Sequence, residues 1–543
     1  MAVLASTARR TVALPRPGAA AALLAVLVLL GAAVWSVASL RLNVATVVDG
    51  SAAAVDFGSR MLPLDFPPLG ELLALAGQTL AIVVCATLLS SLLSVPLALL
   101  AARSTAPSAA GRHGARALIV LARAVPDVVL AIVFFRLFGL GGMTGVLAMG
   151  LHSVGMIGKL YADAVEQADE GPRNALRAAG AGKLQQLVSG VLPQVVPSFV
   201  ATSLHRLDIN VRVSVVLGFV GVGGLGKAIA DALRTLDYQR GMALAAVVFA
   251  LCVLVELVSG TIRRALLGTS ARRGAASAGA RISPPWTFAR VRRIAYWVLA
   301  AVVVLASVRG AELSLAQVGQ ALTGLGPVLA QFWPPEGGGM LGELFGELLV
   351  TVQIALAATL IGAVLSLPVG ALAADNVAPN RVVAGFFRGV VLAVRGVPEL
   401  VLAIVFVLIT GLGPVAGAGA LAVGSVGLLG KLVADSLEEV DRGPEQALRA
   451  TGAGRLQVFC AATVPQAAPA FAAHVLYQLD TNLRSATLLG LVGAGGIGFY
   501  LLNASRVLEF GVVTTVLLML FAAVLVVELL AMWLRRVLNP APR

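Results

Sequence analysis

The sequence predicts an all-α polytopic membrane protein of about 12 transmembrane helices, arranged as two parallel six-helix repeats. Three observations carry that prediction. The 543 residues are 59% hydrophobic and only 12% charged, with a mean hydropathy of +0.94; an ordinary soluble domain is about 25% charged. Apolar runs of about 20 residues, long enough to cross a bilayer as a helix, recur along the chain. The chain is also written twice. Arg123-Ala-Val-Pro126-Asp-Val-Val-Leu-Ala-Ile-Val-Phe134 returns 272 positions later as Arg395-Gly-Val-Pro398-Glu-Leu-Val-Leu-Ala-Ile-Val-Phe406. A soluble enzyme, a disordered tail and a coiled coil are excluded.

The same offset relates Thr79 to Thr351, Pro96 to Pro368, Pro107 to Pro379, Lys159 to Lys431, Pro193 to Pro465 and Gly226 to Gly498. No gap intervenes from Thr79 to Gly226, although loops tolerate insertions, so the repeat is a tandem duplication. Apolar segments fall at roughly 18–40, 74–101, 117–138, 140–160, 191–219 and 241–261 by the 20-residue criterion. The second copy gives roughly 293–309, 347–373, 385–410, 414–433, 463–491 and 509–534. The fifth segment of each half carries prolines that are expected to break it. The 59 glycines suit close helix packing.

Six is an even number, so both copies share one orientation. The chain divides into a first repeat (1–262), a basic linker (263–293) and a second repeat (294–543). The linker holds Arg263, Arg264, Arg272, Arg273, Arg281, Arg290, Arg292 and Arg293 and no acidic residue. The positive-inside rule puts it in the cytoplasm. Arg9, Arg10 and Arg16 at one terminus, and Arg535, Arg536 and Arg543 at the other, agree. Asp49, Asp56, Asp65 and Glu71 suit an outside loop. The first apolar segment has the look of a signal peptide, but the second copy has a helix in the same place, which favours a retained helix. The net charge of +13 belongs to these cytoplasmic loops and does not imply nucleic acid. Cys85, Cys252 and Cys460 have neither disulfide nor zinc spacing.

After the fourth segment of each half comes a loop too polar for lipid. The first reads Glu166-Gln-Ala-Asp-Glu-Gly171-Pro-Arg-Asn-Ala175-Leu-Arg177-Ala-Ala-Gly180. The second reads Glu438-Glu-Val-Asp-Arg-Gly443-Pro-Glu-Gln-Ala447-Leu-Arg449-Ala-Thr-Gly452. Thirteen residues after each final glycine stands Pro193 or Pro465. The local chemistry is a short amphipathic helix, a glycine break and re-entry into the membrane.

This loop resembles the coupling loop of ABC importer permeases, E-A-A, three residues, G, nine residues, I-x-L-P. The E-A-A position reads Asn174-Ala175-Leu176 and Gln446-Ala447-Leu448, and the isoleucine position holds Gly190 and Ala462. The text that follows is more specific. Leu207-Asp208-Ile-Asn210-Val-Arg212 leads to Leu217-Gly218 and Gly221-Val-Gly223-Gly224-Leu-Gly226. The second copy has Leu479-Asp480-Thr-Asn482-Leu-Arg484, Leu489-Gly490 and Gly493-Ala-Gly495-Gly496-Ile-Gly498. These are similar to the phosphonate-type permease pattern L-Y-R-[FL]-E-x-N-x-R followed by L-G-x-V-G-A-G-G-I-G. Ser59-Arg-Met-Leu-Pro63-Leu-Asp-Phe66-Pro and the paired Gly158-Lys159-Leu160 and Gly430-Lys431-Leu432 resemble it too. Asp208 and Asp480 stand for the usual glutamate, and His205 faces Tyr477 across the copies.

The resemblance covers nearly the whole chain. It implies the type I ABC importer (MetI-like) permease fold in a bacterial inner (plasma) membrane. It implies import of phosphonate, phosphite or phosphate, with one polypeptide supplying two permease copies. Two cytoplasmic ABC ATPase subunits would dock on the loops at Gly171, Ala175, Arg177 and Gly180, and at Gly443, Ala447, Arg449 and Gly452. They would hold ATP and magnesium, which this chain would not. An extracytoplasmic binding protein would deliver the anion. An importer for another solute, such as an amino acid, remains an alternative. So does an ion-coupled secondary transporter, although such a carrier has no use for duplicated ATPase docks.

Other motifs have plainer readings. Gly221 to Lys227 fits G-x-x-x-x-G-K, but Ala228 follows where a phosphate loop needs Ser or Thr, and Phe499 replaces the lysine in the second copy. The glycine runs at 221–226 and 493–498 are expected to let helices pack or hinge near an outer gate. Arg212 and Arg484 lie in apolar stretches, where arginine needs a partner or a cavity. They either pair internally with Asp208 and Asp480 at i,i+4, or line an anion pathway with Asn210 and Asn482, or both. Arg123 and Arg395 read as snorkelling anchors in preference to substrate contacts. Lys159 and Lys431 read as caps of the fourth segment, and Glu166, Asp169, Glu438 and Asp441 as a solvated or docking face. The histidines His113, His152, His205 and His474 are not repeated between halves, and no metal site follows.

Overall fold

The computed structural model describes residues 17–42, 58–270 and 288–538. Arg9, Arg10, Arg16, Asp49, Asp56, Arg272, Arg273, Arg281 and Arg543 lie outside the described residues. Among the described residues the regular elements are all helical.

The first half runs α1 (Pro17–Ser39), α2 (Leu69–Ala101), α3 (Ala109–Ala124), α4 (Asp127–Phe138), α5 (Gly142–Glu166), α6 (Gly171–Ala178), α7 (Leu192–Gly218), α8 (Leu225–Arg234) and α9 (Tyr238–Ser270). The second half runs α10 (Phe288–Gly310), α11 (Leu315–Gln331), α12 (Leu341–Ala373), α13 (Arg381–Gly396), α14 (Glu399–Thr410), α15 (Pro414–Glu438), α16 (Arg442–Ala450), α17 (Val464–Leu489), α18 (Gly498–Arg506) and α19 (Phe510–Leu538). Among the described residues nine helices are long and apolar enough to cross a membrane, or eleven if each of two bent pairs is one span. The twelfth expected crossing falls in α10, as the shorter apolar helix Ile294–Gly310.

The prolines that break a helix are not those the sequence reading picked. Segments 117–138 and 385–410 each read as a single apolar segment in the sequence. Instead Ala109–Arg123 meets Asp127–Phe138 at 87°, and Arg381–Gly396 meets Glu399–Val407 at 83°. Val125 and Val397 precede proline and take extended backbone, at ψ 118° and 124°. Clash with the proline ring disfavours the helical alternative. In α7 and α17, by contrast, Pro193 and Pro465 fall in the first turn, where a missing N–H is harmless. π-helical turns at Gln186–Val191 and Phe459–Thr463 precede them, and both helices run on through Pro197 and Pro469.

α2 packs along α5, and α12 along α15. The first helix of each half lies against the other half. α1 packs on α12 and α19, burying Ala22 with Leu476, Ala531 and Leu534. α10 packs on α2, with Gly310 at Ala81. The two sequence repeats are therefore not two separate bodies, and one apolar core includes Ile82 and Val215 of the first half and Ile354 and Leu489 of the second.

Glycine sets the approach at the bends. A Cβ on Gly155 in α5 would lie 2.7 Å from the Arg123 nitrogen, and one on Gly427 in α15 would lie 2.8 Å from that of Arg395. G427A is expected to lower stability by about 1–3 kcal/mol through overpacking. This would be read as a lower melting temperature of the solubilised protein. G385A on α13, whose Cβ meets nothing within 4 Å, is the control.

Candidate translocation pathway and coupling loops

The bends expose backbone. The last four carbonyls of a helix have no amide partner within it. Arg123 and Arg395 stand in the last turns of α3 and α13. Each of their carbonyls is taken by an arginine of the other half. Arg484 Nη1 donates to Arg123 O at 3.0 Å, and Arg212 Nη1 donates to Arg395 O at 2.7 Å. The two contacts are equivalent under the repeat. In the first half a further carbonyl at the bend, Val125 O, lies 2.9 Å from His152 Nδ1.

Carboxylates complete each cluster. Arg212 Nη2 donates to Asp208 Oδ2 at 2.6 Å, and Arg395 lies 3.5 Å from the same oxygen and 3.2 Å from Glu256. On the other side Arg484 pairs with Asp480, and Arg123 lies 3.3 Å from Glu528. Asp208 and Asp480 each leave Oδ1 buried without a hydrogen-bond partner. A buried polar atom left without a partner costs free energy.

The sequence-predicted residues thus divide. Asp208, Arg212, Asp480 and Arg484 meet at the seam between the halves, and the i,i+4 pairing is present. Arg123 and Arg395 are not surface anchors. Their side chains are 22% and 12% exposed and sit in the seam clusters. Glu256 and Glu528 were missed. Their signal was a lone acid in an apolar helix, repeated at the 272 offset.

Asn210 and Asn482 do not reach the seam. Each is fully buried within its own half. Asn210 Nδ2 donates to Thr87 Oγ1 at 3.0 Å and Oδ1 accepts from Ser153 at 3.2 Å. Asn482 repeats this with Thr359 at 2.9 Å and Ser425 at 3.3 Å. They join α2, α5 and α7, and α12, α15 and α17.

On the opposite face, α6 and α16 are short helices with Ala175, Arg177, Ala447 and Arg449 exposed. Asp169 and Asp441 begin them, accepting from the Gly171 and Gly443 amides at 2.9 and 3.0 Å. Gly180 (φ 82°) and Gly452 (φ 86°) end them in a left-handed turn. Their amides donate to Arg177 O and Arg449 O, each at 3.0 Å.

Glu166 and Glu438 are braces, not a free face. Glu166 binds Arg116 of α3 at 2.7 Å and the Arg103 amide at 2.9 Å. Glu438 binds Arg388 of α13 at 2.6 Å and the Asp375 amide at 2.8 Å. The fourth-segment helices run on past Lys159 and Lys431, so neither lysine caps an end. Lys431 pairs with Asp435 at 3.1 Å instead.

The family model described as "binding-protein-dependent transport system inner membrane component" matches residues 94–268 and again 366–543. The chain belongs to this family. It carries two copies in tandem, and its fold is that of a type I importer permease. It is 42% identical over 492 residues to the phosphate-import permease protein PhnE of Mycolicibacterium smegmatis, covering 90% of each chain. It is 38% identical over 223 residues to the phosphite transport system permease protein PtxC of Stutzerimonas stutzeri, covering 41% of this chain and 81% of that one. A chain of the inward-facing MetNI methionine ABC transporter aligns over 37% of this chain and 98% of its own, at 23% identity and a TM-score of 0.35.

A permease of this family moves solute through a membrane and makes no covalent change in it. Here the glycine runs close the C-terminal ends of α7 and α17. Gly224 (φ 98°) and Gly496 (φ 83°) press against Thr79 and Thr351. Those hydroxyls accept from the Leu225 and Ile497 amides, both at 2.9 Å. Gly221 and Gly493 pack under Leu140 and Leu412. Gly226 and Gly498 pack against the ends of α7 and α17 themselves, Gly223 meets Gln78, and Gly495 meets Pro414.

In the permease, R395Q should destabilise by about 3–5 kcal/mol, because it strands the Glu256 carboxylate. The double variant R395Q/E256Q should lose clearly less. Thermal unfolding of the solubilised chain measures both. Equal losses would deny the pair.

Proposed function

We propose that this chain forms the whole pathway of an ATP-driven importer for phosphonate or a related phosphorus oxyanion, such as phosphite or phosphate. The observation that carries the reading is the reciprocal seam. Arg212 of one half and Arg484 of the other each reach across to the opposite proline bend. Neither half completes this arrangement alone. Guanidinium suits such anions because its fork matches their oxygens. The names of the two relatives, phosphate-import and phosphite transport permeases, support the same class.

Two ATPase subunits would dock on α6 and α16 and hold ATP and magnesium, and an extracytoplasmic binding protein would meet the opposite face. The linker and both termini would lie in the cytoplasm of a bacterial inner (plasma) membrane. Arg263, Arg264, Arg290, Arg292, Arg293, Arg535 and Arg536 support that orientation.

The proposed mechanism is alternating access. Closure of the ATPase dimer would push α6 and α16. Glu166–Arg116 and Glu438–Arg388 would pass the push to α3 and α13. These helices end at Arg123 and Arg395, so the movement would draw the bends from Arg484 and Arg212. Guanidinia freed from carbonyl and carboxylate would meet the anion. The glycine runs would act as hinges of the outer gate.

The test is uptake by proteoliposomes that hold this chain, its ATPase and its binding protein. Labelled 2-aminoethylphosphonate, phosphite and phosphate are offered with and without vanadate. Vanadate-sensitive uptake of one of them is expected. Uptake that ignores vanadate but collapses with an ionophore would overturn the ATP-driven reading. In the same vesicles R212Q and R484Q should impair uptake while the folded chain persists. G180V and G452V should each uncouple ATP hydrolysis from uptake. Normal coupling in both would remove the loops from the mechanism.

A further inference from the structure

α6 and α16 are tied differently into their halves. Arg173 of α6 and Glu445 of α16 stand at equivalent positions of the repeat with opposite charges. Glu445 and Thr463 are both buried, at 7% and 2% exposure. Thr463 Oγ1 donates to Glu445 Oε1 at 2.6 Å. Thr463 ends the π-helical turn that opens into α17. A hydrogen bond to a buried carboxylate is costly to break, so α16 is fastened to the start of α17. The first half lacks this bond. Val191 stands in place of Thr463 and has no hydroxyl. α6 meets its own π-helical turn by packing instead, where a Cβ on Gly190 would lie 3.2 Å from Leu176 Cδ1.

Arg173 turns elsewhere. Its Nη1 donates to Ser104 O, in the turn between α2 and α3. The second half lacks that bond. The Glu445 carboxylate has no proton to donate, and Asn376, in place of Ser104, donates Nδ2 to Leu437 O of α15 at 2.6 Å. Two fastenings are common to both halves. One is the brace at Glu166 and Glu438. The other joins each loop to the helix that follows. Gln194 and Gln466, in the first turns of α7 and α17, donate Nε2 to Asp169 O and Asp441 O at 3.0 and 3.3 Å, and Gln194 also accepts from the Asp169 amide at 3.1 Å. Each half thus adds one tie of a kind the other lacks, α6 to the entry of α3 and α16 to the start of α17. α3 ends at Arg123 and α17 carries Arg484. These two meet at the seam, where Arg484 Nη1 donates to Arg123 O at 3.0 Å.

We propose that Arg173 and Glu445 are positioning residues that aim both ATPase docks at one seam contact, Arg123–Arg484, and that the Arg395–Arg212 contact follows it. This rests on the reading of α6 and α16 as docks. Closure of the ATPase dimer moves Arg123 through α3 from one dock and Arg484 through α17 from the other. The two partners of one bond are then drawn from both sides. The Arg395–Arg212 contact receives only the fastenings that both halves share.

The experiment uses the reconstituted complex and whichever of phosphite, phosphate or 2-aminoethylphosphonate the unaltered complex takes up. It reads ATP hydrolysed per anion imported. T463V keeps the shape of the side chain and removes its donor, and R173M removes the tie to Ser104. Each is expected to raise ATP use per anion about three-fold or more, and T463S to keep the unaltered value. Thr463 and Arg173 lie in different halves and share no partner. Independent effects would therefore multiply, to about nine-fold or more. T463V/R173M is expected instead to match the larger single effect, because both ties serve one contact. A multiplied effect overturns the proposal, as does unaltered coupling in either single variant or uncoupling by T463S. Co-purification of the ATPase is read alongside. A single variant that loses the ATPase places its residue in the dock itself and overturns the route as well. Normal coupling in both G180V and G452V would sink the dock reading, and uptake of none of the three anions the importer reading, and the route falls with either.

Discussion

A helix that stops inside a bilayer leaves its last carbonyls without amide partners, and lipid supplies none. α3 and α13 stop there because Pro126 and Pro398 deny the preceding valines a helical backbone. The carbonyls of Arg123 and Arg395 must then be satisfied by something polar at mid-membrane. Arg484 and Arg212 do this, and each comes from the other half. Arginine in that position needs a counter-charge, which Asp480 and Asp208 supply from one turn earlier. Arg123 and Arg395 need one too, and find Glu528 and Glu256 across the seam. One pair of prolines thus dictates eight charged residues and ties the halves together.

The same bends put the seam within mechanical reach of α6 and α16. α3 and α13 are held at their middles by Arg116 and Arg388, which bind the glutamates that end α5 and α15. α6 and α16 follow directly. Arg388 and Arg395 are seven residues apart, two helical turns, about 10 Å along the axis. A rigid helix of that length transmits a displacement at one end to contacts at the other. Exchange of the first helices works with this. α1 and α10 pack on the opposite halves, so each half is held by a helix of the other.

Much of this was legible in the sequence, for identifiable reasons. The 272 offset, the apolar segments, the two short amphipathic helices and the Asp–Arg pairs are local or periodic, and local chemistry survives folding. Asn210 was misread because a polar residue in an apolar run has two outlets, a pathway or a neighbour's hydroxyl. Which one it takes depends on Thr87, 123 residues away. Arg123 was misread for a related reason. Snorkelling presumes that its helix continues straight to the interface, and the helix turns 87° instead. Proline content alone did not show where the turn would fall. Pro193 and Pro465 are harmless at a helix start, whereas Pro126 and Pro398 are decisive after a helix has run its course. The exchange of α1 and α10 has no sequence signal, since an apolar helix suits either half equally.

Fusion removes a restriction that symmetry imposes. A pore built from two copies of one chain carries the same residue at both equivalent positions. In this chain the copies agree wherever the seam needs reciprocity, at Arg123 and Arg395, Arg212 and Arg484, and Glu256 and Glu528. They differ beside it. Tyr161 stacks on Phe199 with ring centroids 3.9 Å apart and bonds Ser203 at 2.6 Å. At the equivalent place Val433, Phe471 and Val475 line an apolar cavity of about 200 Å³. Asp127 with His152 becomes Glu399 with Gly424, a shorter acid beside a larger neighbour exchanged for a longer acid beside none. Arg206 becomes Gln478. Each exchange shifts size or charge from one half to the other. Paired drift of this kind is closed to a pore built from two copies of one chain.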